Sequence, residues 1–192
     1  MAVTEFDKIQ QQVLIKLNGL DPHMLYHCKA HTVDVLHQSE RIARAEGVTD
    51  KHAMFLLKVA ALYHDTGFLE TYVDHEKKGC EIFLKDALKF HFSPEDKQQV
   101  IELIMATKIP QNPVGLLQEI ICDADLDYLG RNDFKEIAAH LKEEFCYYGI
   151  ITDDQEWKKL QIMFLENHQY HTRSSRELRD PVKKINLASI GG

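Results

Sequence analysis

Apolar residues in this chain recur at helical spacing almost from end to end, and no pair of strands joined by a hairpin turn interrupts them. Phe6, Ile9, Val13, Leu14 and Leu17 form one stripe, which Gly19 closes before a turn at Asp21-Pro22. A second helix is expected from Tyr26 to Glu46, stopped by Gly47. Thr49 or Asp50 caps a third, which runs through Ala53-Met54-Phe55-Leu56-Leu57 to Tyr63. It is apolar on most sides, as a central helix must be, and Gly67 is read as its end. A fourth spans Asp74 to Lys89. Ser93-Pro94-Glu95-Asp96 opens a fifth: serine caps, proline suits the first turn, and the acids face the positive end of the helix dipole. Beyond Pro110 and Pro113 a helix leads to Asp125. Asn132 or Asp133 caps another with Phe134, Ile137, Ala138, Leu141 and Phe145 on one face, and Asp153 starts a last clear helix carrying Trp157, Leu160 and Phe164.

Such a pattern predicts one all-α domain over residues 1–185, with a loose tail at 186–192. At 192 residues the chain can bury about 70% of its unfolded surface and needs no staples. Its four cysteines, Cys28, Cys80, Cys122 and Cys146, make no paired framework and read as reduced, mostly buried thiols. The first residues carry no basic-then-apolar leader, and no apolar run approaches the roughly 20 residues that span a bilayer, so a cytoplasmic location without membrane contact is expected. The net charge of −7 argues against a nucleic-acid backbone as partner; it leaves phosphate substrates open, because a bound cation inverts the local field.

Three segments carry the chemistry. In Tyr26-His27-Cys28-Lys29-Ala30-His31 the two histidines are four apart, which on a helix places them on one face. In Ala60-Ala61-Leu62-Tyr63-His64-Asp65-Thr66-Gly67 two polar side chains end an apolar helix, where something must pair them. In Ile120-Ile121-Cys122-Asp123-Ala124-Asp125-Leu126-Asp127 three aspartates stand among buried-type residues. Alone, each reads as structural: a satisfied histidine, or aspartates that cap helices. His23, His37, His52, His91, His140, His168 and His171 stay in that class. Together, two imidazoles and two carboxylates make a mixed N/O donor set suited to one divalent ion (Mn, Fe, Co, Ni, Zn or Mg) that activates water toward phosphorus.

The ordered set His31, His64-Asp65, Asp125 resembles the HD superfamily of metal-dependent phosphohydrolases over residues 24–130. The resemblance implies a helical bundle in which His31, His64, Asp65 and Asp125 converge on one ion, with Asp65 also catalytic. Tyr26-His27, His31 and Asp34-Val35 look like the opening motif of cyclic-nucleotide phosphodiesterases, except that Cys28 replaces the usual asparagine. That likeness makes His27 a candidate general acid; a plain structural role is its alternative. The glutamine and aromatic residue that clamp the purine in that group have no visible counterpart. His75 stands where members with two metals place a further ligand, so it is a second-metal ligand, a phosphate contact or structural. The adjacent histidine pair of those members is replaced by Ala106-Thr107-Lys108, which favours one metal. Lys108 is the candidate phosphate-binding cation; Lys77, Lys78 and Arg131 are also near the motifs. The expected activity is hydrolysis of a phosphate mono- or diester of a small nucleotide-like substrate. The alternatives are a regulatory module that binds a nucleotide with little turnover, and a di-iron oxygenase of the HD-like class.

Overall fold

The structure, a computed structural model, describes residues 3–191; residues 1, 2 and 192, which the expected domain and tail include, lie outside them. Nine α-helices and no strand occur among the described residues: α1 (Glu5–Lys16), α2 (Lys29–Ala45), α3 (Lys51–Tyr63), α4 (His75–Asp86), α5 (Pro94–Ala106), α6 (Leu116–Asp125), α7 (Phe134–Tyr147), α8 (Asp154–Asn167) and α9 (Arg173–Gly191). The all-helical, single-domain expectation is met.

Helix α3 is the hub. Its consecutive residues Val59, Ala60, Ala61 and Leu62 are all fully buried, because α1, α2, α5 and α6 pack around it. Asp50 starts it by accepting hydrogen bonds from the His52 and Ala53 amides. The α1 stripe buries Ile9 and Val13 against this hub, and each buried side chain of that size contributes roughly 1.5–3 kcal/mol. Capping boxes start α1 (Thr4 with Asp7) and α5 (Ser93 with Asp96, Pro94 in the first turn). Gly47 ends α2 at φ +79°, a conformation that favours glycine.

Four expectations need correction. Helix α2 begins at Lys29 with Cys28 as its cap, so His27 precedes the helix and does not share a face with His31. Gly67 ends nothing by its dihedral angles; it sits in a short 3-10 turn, Thr66–Leu69, where a Cβ would lie 1.8 Å from the His75 carbonyl oxygen. Its role is to let the start of α4 approach the chain after the His-Asp doublet. Asp133 does not cap α7 with its side chain, since its carboxylate is taken by Arg131. Residues 186–191 are not loose but belong to the 19-residue helix α9.

Helix α9 has a polar sequence and holds by polar anchors. The buried Asp123 carboxylate accepts from the His171 and Thr172 amides (2.7 and 2.8 Å), just ahead of its first turn. Arg179 makes two 2.8 Å bonds to the buried Asp127 carboxylate, to which Arg41 of α2 adds a third. The Asn186 amide donates to the Leu129 and Arg131 carbonyls. Asp123 and Asp127 therefore have structural work that leaves only Asp125 of the triplet free. A second, smaller apolar cluster (Tyr26, Leu126, Tyr128, Leu129, Phe134, Ala138 and Leu165) joins α7 and α8 to the end of α6. Cys80 and Cys122 are buried, Cys28 is half-buried and Cys146 is exposed; all four are free thiols. No helix among the described residues is long and apolar enough to cross a membrane.

Candidate metal centre and adjoining cavity

Three helix ends meet at one point. His31 projects from the first turn of α2, His64 follows the last residue of α3, Asp65 comes next, and Asp125 is the last residue of α6. The Nε2 atoms of His31 and His64 are 3.4 Å apart. Asp65 Oδ2 lies 3.4 Å from the first and 3.1 Å from the second. Asp125 Oδ1 lies 3.1 and 3.5 Å from the same two nitrogens. The donor atoms of His31, His64 and Asp65 all lie within 4.8 Å of one another.

The His64 Nδ1 bonds to the Ala61 carbonyl at 2.8 Å. A carbonyl only accepts, so Nδ1 carries a proton and Nε2 is the nitrogen turned toward the cluster, the orientation a metal ligand needs. Asp65 Oδ2 is buried and has no hydrogen-bond partner, although it faces both imidazoles. An orphaned carboxylate oxygen among imidazole nitrogens fits a divalent ion. The electrostatics agree. Burial alone would raise the Asp65 carboxyl, yet His64 beside it outweighs burial and holds it well below the usual carboxylate range. Burial likewise opposes ionisation of Asp125, but hydrogen bonds from His31 and His64 hold it at about 2. Burial disfavours the His64 cation, while Asp65 and Asp125 more than reverse that. The pocket is built to hold positive charge between two carboxylates.

Asp65 turns its other oxygen elsewhere: Oδ1 is 3.5 Å from His75 Nε2, which is also 3.5 Å from Glu76 Oε1. The His75 ring stacks on Phe68 at 3.8 Å. His27 packs against the opposite side of this group, its ring 6.1 Å from those of both His31 and His75. Its Nδ1 is hydrogen-bonded to Glu144, a fully buried residue of α7. The Glu144 carboxylate also accepts from the Tyr26 and His27 amides (2.9 and 3.1 Å) and from the Tyr72 hydroxyl (3.0 Å). Burial opposes its charge, but these donors, His27 first, hold its carboxyl below the ordinary value. Glu144 belongs to no motif. Its signal in the sequence is positional: it lies three residues after Leu141 and seven after Ile137, so helical spacing puts a charge on the apolar stripe of α7.

Lys108 is not brought to this centre. It stands exposed after α5 and its ammonium is taken by Asp74. Lys78 pairs with Glu70 and Glu81, and Arg131 with Asp34 and Asp133. The centre opens into a cavity of about 310 Å³ whose near end is His27, Asp65, His75 and Asp125 and whose far wall is α7 and α8. Another cavity of about 300 Å³ reaches His31 and Asp125 from the side of Asp34, Arg131 and His140.

A helical bundle that places a His–His–Asp–Asp donor set at the end of a cavity has the architecture of a helical metal-dependent hydrolase. The model of the HD domain family matches residues 29–127, just over half of the chain, and the chain belongs to that family. No curated protein and no solved structure matches it. The matched stretch contains all four donor residues; α7, α8 and α9 follow it.

Proposed function

We propose that this chain is a phosphohydrolase that cleaves a phosphate mono- or diester of a small nucleotide-like substrate, with His31, His64, Asp65 and Asp125 holding one divalent ion. The observation that carries the reading is the unpartnered, buried Asp65 Oδ2 facing two imidazole nitrogens. A divalent ion bound there supplies Lewis-acid polarisation of a phosphoryl oxygen and lowers the pKa of a water. The protein's own groups supply the rest. Asp65 Oδ1, on the His75 side, is the acceptor that orients a water and takes its proton. His27 is the proton donor to the leaving oxygen, and Glu144, itself held by Tyr72, fixes its ring. Gln161 and Phe164, one turn apart on α8, line the far wall; they are candidates for the glutamine and aromatic base clamp that the sequence pattern did not reveal.

One geometric fact favours a variant of this reading. The two Asp65 oxygens face different groups, Oδ2 the His31–His64 pair and Oδ1 His75, so a second ion would be held by residues on the Oδ1 side. His75 with Glu76 is the candidate second position.

The test is turnover of nucleoside monophosphates, cyclic nucleotides and bis-p-nitrophenyl phosphate with each of Mn, Fe(II), Co, Ni, Zn and Mg, together with metal analysis of the purified chain. Metal-dependent turnover that Asp65→Ala abolishes, with helical circular dichroism unchanged, is expected. Full activity in Asp65→Ala would refute the assignment. A folded, metal-containing chain with no turnover and a tightly held nucleotide would make it a binding module, and an iron-dependent, oxygen-consuming reaction would make it an oxygenase.

A further inference from the structure

The metal centre and the wall opposite it come from different parts of the chain. The four donor residues lie within 29–127, whereas Trp157, Leu160, Gln161 and Phe164 of α8, with Phe134 and Leu141 of α7, lie beyond it. What this wall accepts is therefore not given by the family match and has to be read from its chemistry.

That chemistry is one-sided. The far wall is aliphatic and aromatic, with Gln161 its one polar side chain. None of the described residues lining the cavity is lysine or arginine. The nearby cations are occupied elsewhere: Lys108 by Asp74 at the exposed rim, Arg131 by Asp34 and Asp133 along the other cavity. The charged groups at the near end include the carboxylates of Asp65, Glu76 and Asp125. A phosphate at the metal thus has its partners, but a second one reaching toward α7–α8 would leave water for an apolar wall without a cation to meet it. An uncharged flat ring in the same place buries apolar area and meets Trp157 and Phe164.

We propose that the α7–α8 wall makes the site selective for esters carrying a single phosphate and an uncharged aromatic group, and that it excludes di- and triphosphates. The proposal rests on the phosphohydrolase reading for where the phosphate sits; the wall itself is independent of turnover.

Trp157 is the only tryptophan in the chain, so tryptophan emission reports this wall without any reaction. The 192-residue chain, loaded with zinc at a buffered free concentration, is titrated with phenylphosphonate, methylphosphonate, adenosine monophosphate and adenosine triphosphate. Phenylphosphonate and the monophosphate should change the emission saturably, methylphosphonate should leave it unchanged, and the triphosphate should bind at least about tenfold more weakly than the monophosphate. In Gln161→Lys, which places a cation on the half-buried wall, that gap should close. A triphosphate that binds the unaltered chain as tightly as the monophosphate overturns the proposal. So does an aromatic ester that is turned over or inhibits turnover while Trp157 emission stays constant. If no metal supports turnover but the binding order holds, the hydrolase reading fails and the selectivity stands.

Discussion

Replacing Glu144 with glutamine separates proton donation from the rest of the chemistry. The carboxylate is fully buried; its Oε2 accepts from two backbone amides (Tyr26 and His27) and its Oε1 from Tyr72 and His27 Nδ1. In Glu144→Gln the amide oxygen can keep the two backbone donors, which leaves the NH₂ group facing Tyr72 Oη and His27 Nδ1. Both can respond as acceptors, Tyr72 by rotating its hydroxyl and His27 by moving its proton to Nε2. The fold should survive with a loss of about 1–2 kcal/mol, the difference between charge-assisted and neutral hydrogen bonds. The charged form of His27, however, would now point an N–H at an N–H. A general acid contributes about 10²–10⁴ in rate, or roughly 3–5 kcal/mol, and that contribution should vanish from kcat. The assay is kcat on two esters of the same class, one leaving as an alkoxide and one as p-nitrophenolate. The alkyl ester, which needs the proton, should lose about 10²-fold or more, and the p-nitrophenyl ester much less. Equal losses on both would show that Glu144 supports the site as a whole, and unchanged kcat on both would remove His27 from the mechanism.

Two further outcomes test the frame. Gly67→Ala puts a Cβ 1.8 Å from the His75 carbonyl oxygen and 2.9 Å from the Gly79 amide, so the start of α4 must back away by more than an ångström; a loss of about 3 kcal/mol or more in denaturant unfolding is expected, and wild-type stability would contradict this packing. His168 is a half-buried ring, its Nε2 shut off from solvent, whose pKa falls to about 3 through burial first and the Lys183 charge second. Between about 6.5, where the unfolded chain takes up the proton, and about 3, the native ring refuses it, so stability falls as pH falls by up to about 1.4 kcal/mol per unit. His168→Gln should flatten that slope in urea titrations across the window, and an unchanged slope would show that the ring is not kept neutral.

The sequence by itself determined the helical class, because apolar spacing that repeats every three to four residues cannot sit as a strand. It also singled out His31, His64, Asp65 and Asp125 as one set, and the structure brings these four side chains together. Local capping was legible for the same reason: Ser93-Pro94 and Asp50 act on their nearest amides. Where long-range contact decides, the spacing was silent or misleading. Helix α9 fully buries no apolar residue and interrupts its own pattern with Pro181, so its place is set by long-range bonds to Asp123, Asp127 and Leu129 and by Leu187 and Ile190 against the second apolar cluster. His27 looked like a neighbour of His31 on one helix, yet α2 starts after it and Glu144, 117 residues away, sets its ring. Lys108 looked like a phosphate ligand by position and is held by Asp74 instead. The candidate metal ligands at helix ends are specified by short motifs, because each motif fixes its own turn. The wall of the cavity is assembled by packing α7 and α8 onto the end of α6, and which side chains face one another across it is decided only when those helices meet.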